Sequence, residues 1–208
     1  MQSKCLFASG LIFGLVALSG CVSIQDITGK TAQPKKFLLK LKPDVKHQQC
    51  ELHQQTSIKV NPPQVLTQFD QTSFVYRLDD QRYATDYYHQ FFINVSDQFR
   101  QLMENNLMAA CWRVFKPGVN YMQRPQYQLS SQVNAMYADY RDKDNPKAVL
   151  KLRYYLVNDD KQNVVFDKTY QQTQSLKQAD SQSLLNAWNQ ESQHITQQLI
   201  SDIQSYQS

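Results

Sequence analysis

Between Tyr127 and Leu156 the chain alternates apolar and polar residues with a period of two, twice over, and a third strand-like run follows. In the first run Tyr127, Leu129, Val133, Ala135 and Tyr137 fall on one face, against Gln126, Gln128, Ser130, Gln132 and Asn134 on the other. In the second, Leu150, Leu152, Tyr154 and Leu156 oppose Lys151 and Arg153. Asn158-Asp159-Asp160-Lys161 then supplies turn chemistry, because Asn and Asp side chains bond to their own backbone a residue or two on. Val164 to Thr173 reads as the returning strand. A strand points successive side chains to opposite sides, so this pattern predicts an antiparallel sheet covered on one side only.

Something must cover the apolar side, and two segments change to a helical period. Phe92, Val95, Phe99, Leu102, Met103, Leu107 and Ala110 recur at three and four, which predicts an amphipathic helix from near Tyr88 to Cys111. Lys116-Pro117-Gly118 closes that region. Leu184, Leu185, Trp188, Ile195, Leu199 and Ile203 mark a second helix, with Asp180 or Ser181 as its cap. Together they predict an α+β fold: a two-layer sandwich of a mainly antiparallel sheet with two long helices on one face.

Three shorter strands precede the first helix. Phe37, Leu39 and Leu41 fall on one face; Ser57-Ile58-Lys59-Val60 is stopped by Pro62-Pro63; and Ser73 to Leu78 ends at Asp79-Asp80. Residues 43–55 are polar and loop-like.

The amino-terminal end has a different character. Lys4 and the terminal amine precede an apolar run from Leu6 to Leu18, shorter than the ~20 residues a spanning helix needs. The run is of the length of a secretory signal core and ends Leu18-Ser19-Gly20-Cys21, which resembles the bacterial lipobox. In that chemistry the Cys21 thiol takes a diacylglycerol, the chain is cut before it, and the new amine is acylated. Two or more acyl chains make such an anchor effectively permanent. Val22 and Ser23 follow, with no aspartate after the cysteine, which by the Gram-negative sorting rule implies the outer membrane. The expected organisation is therefore a signal peptide over 1–20, a lipidated tether over 21–36 and one domain over 37–208. A tether of that length reaches roughly 50 Å when extended.

The 22 basic and 18 acidic residues are spread along the chain without a basic stripe, so nucleic acid is not an expected partner. Cys50 and Cys111 are the cysteines left once Cys21 is acylated, an even pair in an oxidising compartment and a candidate disulfide. A bridge between them closes a loop of about 60 residues, worth ~4 kcal/mol by chain entropy. Two separate thiols, with Cys111 buried at a helix end, are the other reading.

Catalytic and metal chemistry find little purchase. His47, Cys50 and His53 are three apart, but they offer three ligands in a glutamine-rich loop without a helical pattern. No Gly-x-Ser-x-Gly is present, and His89 and His194 fall on predicted helices as surface or satisfied residues. Asp79-Asp80 and Asp159-Asp160 sit in predicted turns. Asn94-Val95-Ser96 matches a glycosylation sequon, a chance match in a bacterial lipoprotein. Tyr87-Tyr88 and Phe91-Phe92 are either a docking patch or core aromatics of the first helix. No catalytic residue, metal or cofactor is expected.

The order of parts carries a resemblance. Lipobox, tether, strand and polar loop are followed by "IKVNPPQVLTQFDQTSFVYRLDDQRY", a long helix, three strands including "AVLKLRYYLVNDDKQNVVFDKTY", and a final helix. This is similar to the ABC-type transport auxiliary lipoprotein family over roughly residues 37–205. Val60, Pro62, Leu66, Asp70, Phe74, Val75 and Arg77 stand where the family pattern places its strand, proline step, leucine before aspartate, and second strand. The chain departs at one landmark, having Tyr88-His89-Gln90-Phe91 where the family has an Arg-Trp pair. The resemblance implies a fold close to the N-terminal domain of TolB and a non-catalytic docking subunit. Its implied partners are an MCE-type protein and an ABC transporter permease/ATPase complex that moves phospholipid, with the outer membrane holding the lipid anchor. Self-association into a homo-oligomer is compatible with that role. The alternative is a lipoprotein of another envelope-assembly machine, inserting outer-membrane protein or lipopolysaccharide.

Overall fold

The computed structural model describes residues 32–40, 56–116 and 124–205. In chain order the elements are β1 (Lys35–Phe37), β2 (Ser57–Val60), β3 (Gln64–Val65), β4 (Ser73–Arg77), β5 (Tyr83–Phe91), α1 (Val95–Ala109), β6 (Arg113–Phe115), β7 (Tyr127–Asp139), β8 (Lys147–Asn158), β9 (Asn163–Ser175) and α2 (Ser181–Ser205). Residues Gln33–Ser208 group as one unit.

Strand β7 is the spine. One edge pairs antiparallel with β8, and β8 pairs antiparallel with β9. Three short strands run parallel along its other edge in turn. Ile58–Val60 of β2 lie opposite Tyr127–Leu129, Gln64–Val65 of β3 opposite Gln132–Val133, and Tyr76–Arg77 of β4 opposite Ala138–Asp139. Proline has no N–H to give a ladder, so Pro62-Pro63 divides β2 from β3. Asn61 still donates its N–H to the Leu129 carbonyl, and Leu66 its own to Val133. Beyond β4 lie β5, antiparallel, and then β1, parallel to β5; β6 runs parallel to β2. The sheet is mixed, with its long ladders antiparallel.

Both helices pack on one sheet face, as expected for the two-layer sandwich. Val95, Phe99, Leu102, Met103 and Leu107 of α1 share a buried cluster with Leu184, Trp188, Ile195, Leu199 and Ile203 of α2. Leu150, Leu152, Tyr154 and Leu156 of β8 meet them from below. Trp188 is fully buried, edge-on to Phe74 with ring centroids 5.1 Å apart and 5.7 Å from Phe91. Asp180 caps α2, its Oδ1 accepting the Ser183 N–H at 2.7 Å.

Several expectations are corrected. The face of β7 is not continuous: pairing with β8 slips between Val133 and Ala135. A bulge moves every later side chain to the other face. Leu129 and Val133 therefore join Met136 and Ala138 under the helices, while Ala135 and Tyr137 turn away. There they meet Phe69, Val75 and Val149, so the second face is partly covered too. The first helix begins at Val95; Tyr83–Phe91 is a strand. The strand expected over Phe37–Leu41 ends at Phe37, because helix side chains take the amides of Leu39 and Lys40; Leu41 lies outside the described residues. Gln98 Oε1 accepts the Leu39 N–H and Asn189 Oδ1 the Lys40 N–H, both at 2.7 Å. Strands β3, β5 and β6 have no counterpart in the sequence reading. Strand β1 starts at Lys35, inside the stretch read as tether.

Candidate functional site

The irregular part of the sheet lies at β5. Between Ser73 and Phe74 the β4 strand advances one residue while β5 passes from Gln90 to Asp86, so Tyr87, Tyr88 and His89 loop out. Asp86 holds the loop. Its Oδ1 accepts the Tyr88 N–H at 2.8 Å and the His89 N–H at 3.1 Å, an arrangement open to a short acidic side chain. Its Oδ2 accepts the Tyr76 hydroxyl and lies 2.7 Å from His89 Nδ1. A carboxylate only accepts, so the His89 proton in that contact sits on Nδ1.

The electrostatics agree. Burial opposes the Asp86 charge, but the bonds from Tyr76, His89 and the Tyr88 amide outweigh it and hold the carboxyl below the usual carboxylate range. Burial, reinforced by the adjacent Asp86 carboxylate, pushes the Tyr76 phenol far up, so it stays a donor. Tyr140 is raised as well, by burial and by the nearby Asp180 and Asp86 charges.

A cleft of about 880 Å³ opens beside this group. Lys35, Tyr76, Arg82, Asp86, His89 and Lys143 line it. Arg82 is already paired with Asp79 at 3.1 Å. Ser181 also faces the cleft, but among the described residues no hydrogen bond joins it to His89. The cleft brings cations, phenols and an imidazole together with the Asp86 and Asp180 carboxylates.

At the far end of β4 a second polar knot ties two turns together. Arg141 forks onto Asp139 at 3.0 and 2.8 Å and reaches Asp80 at 2.8 Å. The Arg141 fork lowers the Asp139 carboxyl. Asp79 Oδ1 accepts the Gln81 and Arg82 amides, which lowers it too. Asp79 and Asp80 build a turn, as their positions predict, while Asp139 ends β7.

The remaining candidates are distributed as follows. Cys21, Cys50, His47 and His53 lie outside the described residues. Cys111 is disulfide-bonded, and no other cysteine falls among the described residues. It has φ of 69° and follows α1 as a left-handed closing residue. Cys111 N–H bonds to Met108 and Trp112 N–H to Leu107, the paired bonds of a Schellman end. His89, expected on a helix, sits in the β5 bulge; His194 is exposed on α2. Of the four aromatics left open, Phe91 is core, whereas Tyr87, Tyr88 and Phe92 are exposed. Among the described residues no three His, Cys, Asp or Glu side chains gather to hold a metal, and no helix is long and apolar enough to cross a membrane. Asp86 and its contacts with Tyr76 and His89 have no counterpart in the sequence analysis; an aspartate ahead of two tyrosines in a β-rich run is the signal available.

Comparison with known proteins adds the following. A family model described as "ABC-type transport auxiliary lipoprotein component" matches residues 37–200. The crystal structure of protein XCC0632 from Xanthomonas campestris superposes with a TM-score of 0.70 at 14% identity, covering 84% of this chain and 100% of that one. The structure of an uncharacterized protein gives a TM-score of 0.64 at 13% identity, covering 82% and 99%. At these identities the likeness is one of fold. No curated protein sequence matches the chain.

Proposed function

Because this chain belongs to the ABC-type transport auxiliary lipoprotein family, we propose that it is the tethered docking subunit of an envelope ABC transport system that moves phospholipid through an MCE-type protein. Cys21 carries the lipid and holds the chain to the periplasmic face of the outer membrane. Residues 1–20 are the signal removed on processing, and 21–36 lead to the domain. The domain does its work by binding partners and performs no catalysis. One observation carries this reading: the family match over 37–200 stands on a chain whose start ends Leu18-Ser19-Gly20-Cys21. We also assign Cys50 as the disulfide partner of Cys111, the pairing left when Cys21 is acylated.

The test is affinity purification of the full chain from Gram-negative envelopes. Recovery of an ABC permease, its ATPase and an MCE protein is the expected result. Recovery of outer-membrane insertion proteins in their place would overturn the reading in favour of another assembly machine. A Cys21→Ala form should leave the outer-membrane fraction; if it stays there, the anchor is elsewhere.

A further inference from the structure

Four large apolar side chains stand in water around β1 and the end of β5. Leu38 is 47% exposed, Tyr87 60%, Tyr88 49% and Phe92 66%. The backbone sets them close together. Phe92 donates its N–H to the Phe37 carbonyl, so Leu38 and Phe92 leave the ladder side by side. At the ladder's other end Lys35 pairs with His89, next to the Tyr87–Tyr88 rings, which touch at 5.2 Å. Single exposed apolar residues are ordinary on a soluble domain, but four around one three-residue ladder mark a surface that meets something.

The same ladder carries two ammonium groups, Lys35 and Lys36. Lys36 donates to the neutral Gln90 amide and, among the described residues, meets no carboxylate; the carboxylate at the bulge, Asp86, is taken up by Tyr76, His89 and two amides. Tyrosine and phenylalanine flanked by lysine is the composition that sits at lipid headgroup depth, rings at the boundary and ammoniums on phosphate. A protein strand adding to this edge is a poorer fit. Strand β1 is three residues long and two of them are lysines, both features that blunt an edge against pairing.

The route of the chain decides the occupant. β1 is the first strand among the described residues, and Lys35 lies fourteen positions after Cys21. The domain is thus joined to its anchor at this edge. We propose that the β1–β5 edge is an interfacial face that lies on the anionic headgroups of the bilayer holding the chain, with Tyr87, Tyr88 and Phe92 at headgroup depth. This rests on the reading of Cys21 as the lipidated residue.

The test uses the full lipidated protein in phosphatidylethanolamine–phosphatidylglycerol vesicles. An environment-sensitive fluorophore is placed at Tyr87→Cys, at Phe92→Cys and, as a reference on β9, at the exposed Val164→Cys. Headgroup-depth spin-labelled lipid should quench the first two roughly threefold more than the third, and Lys35→Gln with Lys36→Gln should narrow that gap. Equal quenching at all three sites, with the protein still on the vesicles, overturns the face alone. Failure of the unlabelled protein to stay on the vesicles overturns the anchor and the face with it. Shielding of Tyr87 and Phe92 that appears only when envelope proteins are added assigns the surface to a protein and overturns the proposal.

Discussion

Asp86 Oδ2 lies 2.7 Å from His89 Nδ1, closing a ring around Tyr87 and Tyr88 and fixing where both tyrosines leave the sheet. Two further amide bonds and the Tyr76 hydroxyl end on the same carboxylate. Asp86→Ala leaves those donors without their acceptor, and a loss of about 1–3 kcal/mol is expected in urea unfolding. Amide exchange at Tyr88 and His89 should rise with it. Because the folded carboxyl is held below its ordinary range, this contribution is present above the ordinary aspartate pKa. It is lost as pH falls through the lower, folded value. Unchanged exchange at Tyr88 in the alanine variant would show that the bulge stands without Asp86.

Glu191 behaves in the opposite sense. It is buried on α2, both carboxylate oxygens lack a hydrogen bond of good geometry among the described residues, and burial lifts its pKa to about 8, offset only in part by the Gln174 backbone. Between the ordinary value of 4.5 and about 8 the folded protein binds a proton that the unfolded chain has released. Stability from this group is complete below the lower value and falls as pH rises through the window, by an amount on the order of a few kcal/mol. Glu191→Gln, which stays neutral, should flatten the urea midpoint between pH 5 and pH 9 relative to the natural protein. Parallel slopes for the two proteins would place the titration elsewhere.

How far the sequence foretold this depends on where the partner groups lie. The period-two run of β8, the turn that returns β9 beside it and the stripe of α2 are legible because each depends on residues near in sequence, and so is the Asp180 cap. The β5 strand is not, because Phe92 and Val95 fall three apart whether the chain before them is helix or strand. What decides is the pairing of β4 with Ala84–Asp86 and of β1 with His89–Phe91. Leu39 alternates correctly and is buried, yet its amide goes to Gln98, fifty-nine positions away. Tyr87-Tyr88 and Phe91-Phe92 were singled out without a way to tell which face water, since that parity is set by the ladder with β1.

Trp188 of α2 packs on the sheet against Phe74 and Phe91, with its indole N–H unpartnered among the described residues. Trp188→Ala opens a cavity at the centre of the larger core, and a cost of about 3–5 kcal/mol is expected. Trp188→Phe should cost well under half of that, because it fills most of the space and removes a buried donor that has nothing to bond. Equal costs for the two variants in urea unfolding would mean that the indole N–H contributes in the folded state.

Cys111 occupies the residue after the α1 cap in a left-handed conformation that glycine adopts at less cost, and it is disulfide-bonded. The bridge and the strained residue should therefore be separable. Cys50→Ser is expected to lower stability by up to ~4 kcal/mol, the worth of closing the loop, and to abolish any further effect of reductant. Adding Cys111→Gly to that variant should return about 1 kcal/mol, since the αL site no longer carries a side chain. If Cys50→Ser still loses stability on reduction, the partner of Cys111 is another cysteine. The unreduced peptide that contains Cys111 would then be found by mass spectrometry joined to Cys21 or Cys5, and the acylation of Cys21 would have to be reconsidered with it.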